Sequence, residues 1–144
     1  MKRILVIIVA IIIVVGIAAY FSHFFDLPEI NIKPNDKEEL IVVVSPLNND
    51  EISSPLSIAG RARGYWFFEG SFPIELRDEY GNVIAAGHAS AQGEWMTADF
   101  VPFLGTLQFN NYIKGQKGIL ILMKDNPSGL PENDDQIKIP VIFK

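Results

Sequence analysis

Two clusters of side chains in this sequence could do chemistry, and both are local. The first is acidic. Asp125, Glu132, Asp134 and Asp135 bring four carboxylates into eleven residues, interleaved with Asn126, Ser128 and Asn133. Hard cations such as Ca2+ take six to eight oxygens from carboxylates, amides and carbonyls. A loop cornered by Pro127 and Pro131 could present such a set, with Asp125, Asn126, Glu132, Asp134 and Asp135 as ligands. The spacing departs from the EF-hand loop, because a glycine follows Asp125 by four positions rather than five and a proline occupies a ligand position. The simpler reading is an Asx-turn network, in which Asp and Asn side chains bond nearby backbone amides and order a long loop.

The second cluster is aromatic, Tyr65-Trp66-Phe67-Phe68, preceded by Arg61 and Arg63 and flanked by Gly64 and Gly70-Ser71. In an extended strand, Tyr65 and Phe67 would share one face and Trp66 and Phe68 the other, so one sheet face cannot bury all four. Exposed, Tyr65, Trp66 and Phe68 with Arg63 would form a platform for a partner protein or a cell-wall glycan. Buried, the rings would cap the open end of a domain, together with Trp95 and Phe100. Arg63 could pair with Glu69 across the run, stack on Trp66, or stand in water.

Other chemistry is absent from the sequence. There is no cysteine, which excludes disulfides, thiolate metal sites, a thiol nucleophile and an acylated cysteine. His23 and His88, the two histidines, are far apart, and neither a nucleophile elbow nor a glycine-rich phosphate loop occurs. Glu69, Glu94 and Asp99 are the acids left for glycoside cleavage, and no spacing singles them out. The expectation is a protein that is not an enzyme and has no cofactor, calcium being the one cation the residues suggest. The net charge is −5, and setting aside Met1–Phe21, which holds two bases and no acid, leaves −7. Such a chain has no basic face for phosphates, so nucleic acid is not an expected partner.

The elements that must carry these clusters divide the chain in four. Lys2 and Arg3 precede an unbroken apolar run over 4–21. Eighteen helical residues span about 27 Å, close to the hydrocarbon thickness of a bilayer. We read residues 1–3 as a cytoplasmic stub and 4–21 as a transmembrane signal anchor, with the bases setting the N-terminus inside. Tyr20, Phe21, Phe24 and Phe25 would form an aromatic belt at the outer interface. A cleaved signal peptide is the alternative, although the run is long for one and Gly16-Ile17-Ala18 is only a fair cleavage site. Residues 22–39 hold two prolines and mixed charge and read as an extended, solvated linker.

From residue 40 onward, short apolar runs alternate with turn residues. Strands are expected at Leu40–Val44, Leu56–Ala62, Phe72–Asp78, Val83–Ala89, Thr106–Phe109, Ile119–Met123 and Ile137–Phe143, with a hairpin turn at Tyr80-Gly81-Asn82. Pro140 marks the last of them as an edge strand or a bulge. An all-β domain of seven or eight strands over 40–144 has the size of an immunoglobulin-like β-sandwich of two packed sheets.

Several stretches resemble one family in order. They include Ser45-Pro46-Leu47, Ile52-Ser53-Ser54-Pro55-Leu56, Gly60-Arg61-Ala62-Arg63-Gly64, Tyr65-Trp66-Phe67-Phe68-Glu69 and Phe72-Pro73-Ile74. Further along come Gly93-Glu94-Trp95-Met96, Phe100-Val101-Pro102-Phe103 and the long motif from Asp125 to Asp134. Together they resemble the immunoglobulin-like domain of bacterial spore germination, across nearly all of 40–144. The resemblance implies an extracytoplasmic immunoglobulin-like module for binding or scaffolding, and it supplies no catalytic residue. The germination-type domain often found beside it has no counterpart in this reading, and the expectation is a domain that stands alone behind its anchor. The expected protein is thus a single-pass protein of the cytoplasmic membrane. Its C-terminal domain would lie outside and meet an envelope protein or, alternatively, peptidoglycan.

Overall fold

Ile41-Val42-Val43-Val44 is a β-branched run, which fits a pleated, half-buried surface better than a helix in water. The same pattern recurs along the chain and gives eight strands. They are β1 (Ile41–Ser45), β2 (Asp50–Ile52), β3 (Leu56–Arg63), β4 (Ser71–Asp78), β5 (Val83–Ala91), β6 (Phe100–Leu107), β7 (Lys117–Met123) and β8 (Gln136–Phe143). This computed structural model describes residues 36–110 and 112–144. The stub at 1–3, the span expected over 4–21 and the linker up to residue 35 lie outside the described residues. Among the described residues, no helix is long and apolar enough to cross a membrane.

The strands form one hydrogen-bonded sheet in the order β1-β3-β6-β5-β4-β7-β8-β2. The all-β, immunoglobulin-like expectation holds, with the strands joined into this one curled sheet. β5 is the cause: it pairs with β4 from Val83 to Ser90, and its last residues Ala89–Ala91 also pair with Phe103–Gly105 of β6. The sheet curls about that shared strand. β4 and β6 are not hydrogen-bonded neighbours, yet the Phe72 and Phe103 rings meet across the core with centroids 5.0 Å apart. Gly105 leaves room for the Ile74 side chain on the same line of contact. The alternation does what it promised: Leu56, Ile58 and Ala62 of β3 and Phe72, Ile74 and Leu76 of β4 are buried. No charged or polar residue is buried among the described residues.

Three expectations about where elements lie need correction. The strand placed at Thr106–Phe109 runs instead from Phe100 to Leu107. Pro102 is tolerated there because its carbonyl accepts the Gln92 N–H just past the end of β5, so its ring nitrogen faces a place where no ladder donor is needed. Asp50–Ile52, too short and polar to alternate, is a strand because it pairs in parallel with Val141–Phe143. The last part of the linker is not extended, since Asp36–Glu39 form a 3-10 turn. Of the loop or bulged strand that the flanking glycines suggest for the aromatic run, the structure has the loop: Gly64–Trp66 is a 3-10 turn that rotates successive side chains by about a third of a revolution. Pro140 does not mark an edge strand, since β8 lies between β7 and β2 and the Pro140 carbonyl accepts the Asn49 N–H. β8 pairs with β7 along its whole length, whereas β2 covers only Val141–Phe143 on its other side.

Candidate functional site

The strand directions bring both chemical clusters to one end of the domain. That end holds the 3-10 turn at Asp36–Glu39, the turn after β3, the β5–β6 loop and the β7–β8 loop. Backbone contacts fasten these together. Gly64 N–H donates to Asp99 C=O at 3.2 Å, and Asp125 N–H donates to Trp66 C=O at 3.1 Å. A side chain at position 64 would strike the carbonyls of Trp95 and Thr97, so only glycine lets these two loops approach.

The turn sorts the four rings. Trp66 is 0% exposed and Phe67 4%, while Tyr65 is 51% and Phe68 41% exposed. Trp66 and Phe67 plug the end of the core, with their ring centroids 6.5 Å and 5.3 Å from that of Phe72. Trp66 therefore cannot belong to an exposed platform, and the expected binding set reduces to Tyr65, Phe68 and Arg63. Glu69 and Gly70 both adopt positive φ and close a tight turn in which Phe68 and Ser71 exchange backbone hydrogen bonds. Trp95 is half-buried, packs on the core and lies against Gly70. Its neighbour Met96 is 75% exposed, an apolar contributor that the sequence reading did not single out.

Arg63 neither pairs with Glu69 nor stacks on Trp66. Its guanidinium lies over Phe100, 4.1 Å from the ring centroid, with Arg61 over the same ring at 5.1 Å. The reason is register: Arg61 and Arg63 share one face of β3, and Phe100 is the residue of β6 paired with Arg63. Arg63 Nε also donates to Glu39 C=O at 3.0 Å and Nη1 to Ala98 C=O at 3.3 Å. Arg63 is thus a tie between the root of the linker and the β5–β6 loop.

The acidic loop is ordered by its own side chains. Asn126 Nδ2 donates to Leu130 C=O at 2.8 Å and to Asp134 Oδ1 at 2.7 Å. Asn126 Oδ1 accepts from Ser128 N–H at 3.2 Å and from the Ser128 hydroxyl. Asn133 Nδ2 donates to Ser128 Oγ at 3.0 Å, and Lys124 N–H to Asp135 C=O at 2.8 Å closes the base. Asp135 Oδ1 accepts from Lys37 Nζ at 2.7 Å and from Gln136 N–H at 2.8 Å. Asp134 and Asp135 therefore already have donors. Among the described residues, no three acidic or imidazole side chains converge as a metal-binding set. Asp125 and Glu132 lie on the same loop, Asp125 beside an open depression of about 590 Å3 bounded also by Lys37, Pro73, Lys124, Asp134 and Asp135. Nothing in the linker's sequence marked Lys37 as part of this cluster, because its partners lie a whole domain away in the chain.

Residues 40–129 match the family described as the immunoglobulin-like domain of bacterial spore germination. The match stops inside the acidic loop, so Glu132, Asp134, Asp135 and β8 lie beyond it. No curated protein and no solved structure matches the chain.

Proposed function

Because the chain belongs to the family of the immunoglobulin-like domain of bacterial spore germination, we propose that it is a non-catalytic interaction or scaffold module. In this reading it is held at the cell envelope by an N-terminal membrane anchor, with its C-terminal domain outside. The anchor rests on the apolar run over 4–21 and the two bases before it. The interaction role rests on one observation: Tyr65 and Phe68 stand exposed on a turn whose intervening rings, Trp66 and Phe67, are locked in the core. Rigid aromatic side chains give contact area at small entropic cost, which suits them to a protein interface.

Cross-linking in intact membranes followed by capture of the full chain tests this. A specific cross-linked partner that is lost in Tyr65→Ser/Phe68→Ser supports it, and capture unchanged by that variant refutes the assigned surface. Protease added outside cells should digest residues 40–144; protection from it would remove the extracytoplasmic placement. The same exposed rings favour peptidoglycan as the second reading. Co-sedimentation with purified cell wall that depends on Tyr65 and Phe68 would select it over a protein partner.

A further inference from the structure

β7 is apolar on both faces. Leu120 and Leu122 are fully buried in the core, whereas Ile119, Ile121 and Met123, which alternate with them, point to the other face of the sheet. A strand with one face in water alternates apolar and polar residues, and an unbroken apolar run marks a strand covered on both. Ile119 is nevertheless 37% exposed, and a shallow depression of about 320 Å3 lies beside it, lined in part by Arg77, Tyr80, Ile121 and Lys138.

β7 is also the middle strand of the half-sheet β5-β4-β7-β8-β2. Its two neighbours carry charge on that same outer face. On β4, Phe72, Ile74 and Leu76 point inward, so Pro73, Glu75 and Arg77 point outward. On β8, Ile139, Val141 and Phe143 point inward, so Lys138 and Pro140 point outward. The register puts Glu75, Ile121 and Lys138 in one row across the three strands, and Arg77, Ile119 and Pro140 in the next. An apolar stripe is thus flanked by an acid on one side and a base on the other. Arg77 Nε and Nη2 both donate to Glu75 Oε2, at 2.9 and 2.6 Å. Among the described residues, Glu75 Oε1 and Lys138 Nζ have no partner.

We propose that the outer face of this half-sheet docks against the same face of a second copy of the chain. Charge selects both the partner and its orientation. A two-fold axis lying between the two faces and running along β7 sets Glu75 over the second copy's Lys138, and Lys138 over its Glu75. Ile119 then meets Ile119, and Ile121 meets Ile121, at the centre. An axis across the strands through the same row would set Glu75 on Glu75 and Lys138 on Lys138, and these like charges repel. Four strands of seven to nine residues give a face of about 500 Å2 per copy, about 1,000 Å2 for the pair, the lower limit for a specific interface. The dimer is therefore reversible and concentration-dependent. Tyr65 and Phe68 lie outside this face, so the dimer stands or falls independently of the surface proposed above.

The full chain in detergent micelles tests this. It has no native cysteine, so Ile119→Cys gives one thiol per chain. Sheets packed face to face lie about 10 Å apart, and a short bis-maleimide is expected to join the two thiols at the axis into a covalent dimer. Glu75→Lys or Lys138→Glu in that background sets like charges in both halves of the interface and is expected to lower the yield about tenfold. Mixing the two charge-reversed chains opposes unlike charges at both contacts and is expected to restore the yield, which also shows that each variant is folded. A yield that ignores the reversals, a mixture that fails to regain it, or no covalent dimer from Ile119→Cys would overturn the proposal. So would equal linking through Leu104→Cys, exposed on the outer face of β6, because it would report crowding in the micelle rather than this interface.

Discussion

Lys37 Nζ and Asp135 Oδ1 lie 2.7 Å apart although their residues are ninety-eight positions apart in the chain. The pair fastens the root of the linker to the acidic loop, and Lys37 donates a second bond to Gln136 C=O at 2.8 Å. On the other flank Arg63 Nε holds Glu39 C=O. Residues 37–39 are thus tied on both sides just before the first strand. Lys37→Ala is expected to lower global stability by less than about 1 kcal/mol, because both side chains remain partly exposed and screened. It should nevertheless speed amide exchange at Leu40, whose N–H bonds to Lys37 C=O at 3.0 Å. Denaturation and exchange measured at low and high salt check both parts; a salt-independent loss of several kcal/mol would contradict the surface character of the pair.

Trp66 is fully buried, and among the described residues its indole N–H finds no acceptor. Its truncation and its conservative replacement should therefore separate. Trp66→Ala is expected to cost about 3–5 kcal/mol, as for other large core side chains. Trp66→Phe should cost less than about 2 kcal/mol, because it removes an unpaired donor along with some packing. Equal losses in urea denaturation would mean that the N–H has a partner worth keeping.

The burial of Trp66 also shows where the sequence was legible and where it was not. Alternation identified the inward faces of β3 and β4, because a one-residue slip would expose every side chain on them. Pro140 marked only a place without a ladder donor, a local property of that residue; β8 is not an edge strand, since β2 lies beside it. Three features depended on distant partners. Asp50–Ile52 is a strand only because β8 lies beside it, β6 starts at Phe100 because Phe100–Pro102 pair with Arg61–Arg63 of β3, and the sheet is continuous only because the end of β5 serves both neighbours. At the candidate site, the composition of the acidic loop and the aromatic run was visible, but not the 3-10 turn that divides the rings. Nor could local reading give the partners of Lys37 and Arg63, which are set by tertiary contacts.

Gly64 is buried where the turn after β3 meets the β5–β6 loop, with the Trp95 and Thr97 carbonyls in the space a Cβ would fill. Gly64→Ala must push one loop away from the other. We expect a destabilisation of about 2–3 kcal/mol, in the range of other overpacking substitutions. Trp95 fluorescence should shift toward the emission of a more exposed indole. A neutral substitution with unchanged fluorescence would show that the loops can separate freely.

Asp78 anchors the β4–β5 turn. Its carboxylate accepts from Asn82 Nδ2 at 2.8 Å, from Asn82 N–H at 2.8 Å and from Tyr80 N–H at 2.9 Å. The Asn82 side-chain bond, followed by the backbone donors, holds its pKa below the ordinary value of 3.8 despite some opposing desolvation. The folded carboxyl is thus the stronger acid. Its contribution to stability is complete above pH 3.8 and is lost as pH falls from there through the lower folded value. Carbon-detected NMR titration should find Asp78 titrating below the ordinary value of 3.8, and Asn82→Ala should move it upward. An Asp78 midpoint that does not respond to Asn82→Ala would break this assignment.

The acidic loop offers the sharpest contrast between an ion and its own hydrogen bonds. Asn126 alone bridges Leu130, Asp134 and Ser128, drawing both ends of the loop together. Asn126→Ala removes every one of these side-chain bonds at once. The side chain is partly exposed, so water replaces some of them, and a loss of about 1–2 kcal/mol is expected. Millimolar Ca2+ should leave the melting temperature of the unsubstituted chain unchanged, and a chelator should do the same. The alternative has a definite size: an ion present at a hundred times its dissociation constant would add about 2.7 kcal/mol. Thermal denaturation with and without Ca2+, on the unsubstituted chain and on Asn126→Ala, separates the two. A calcium-dependent rise in the unsubstituted chain that vanishes in Asp134→Asn would return the loop to the cation sites.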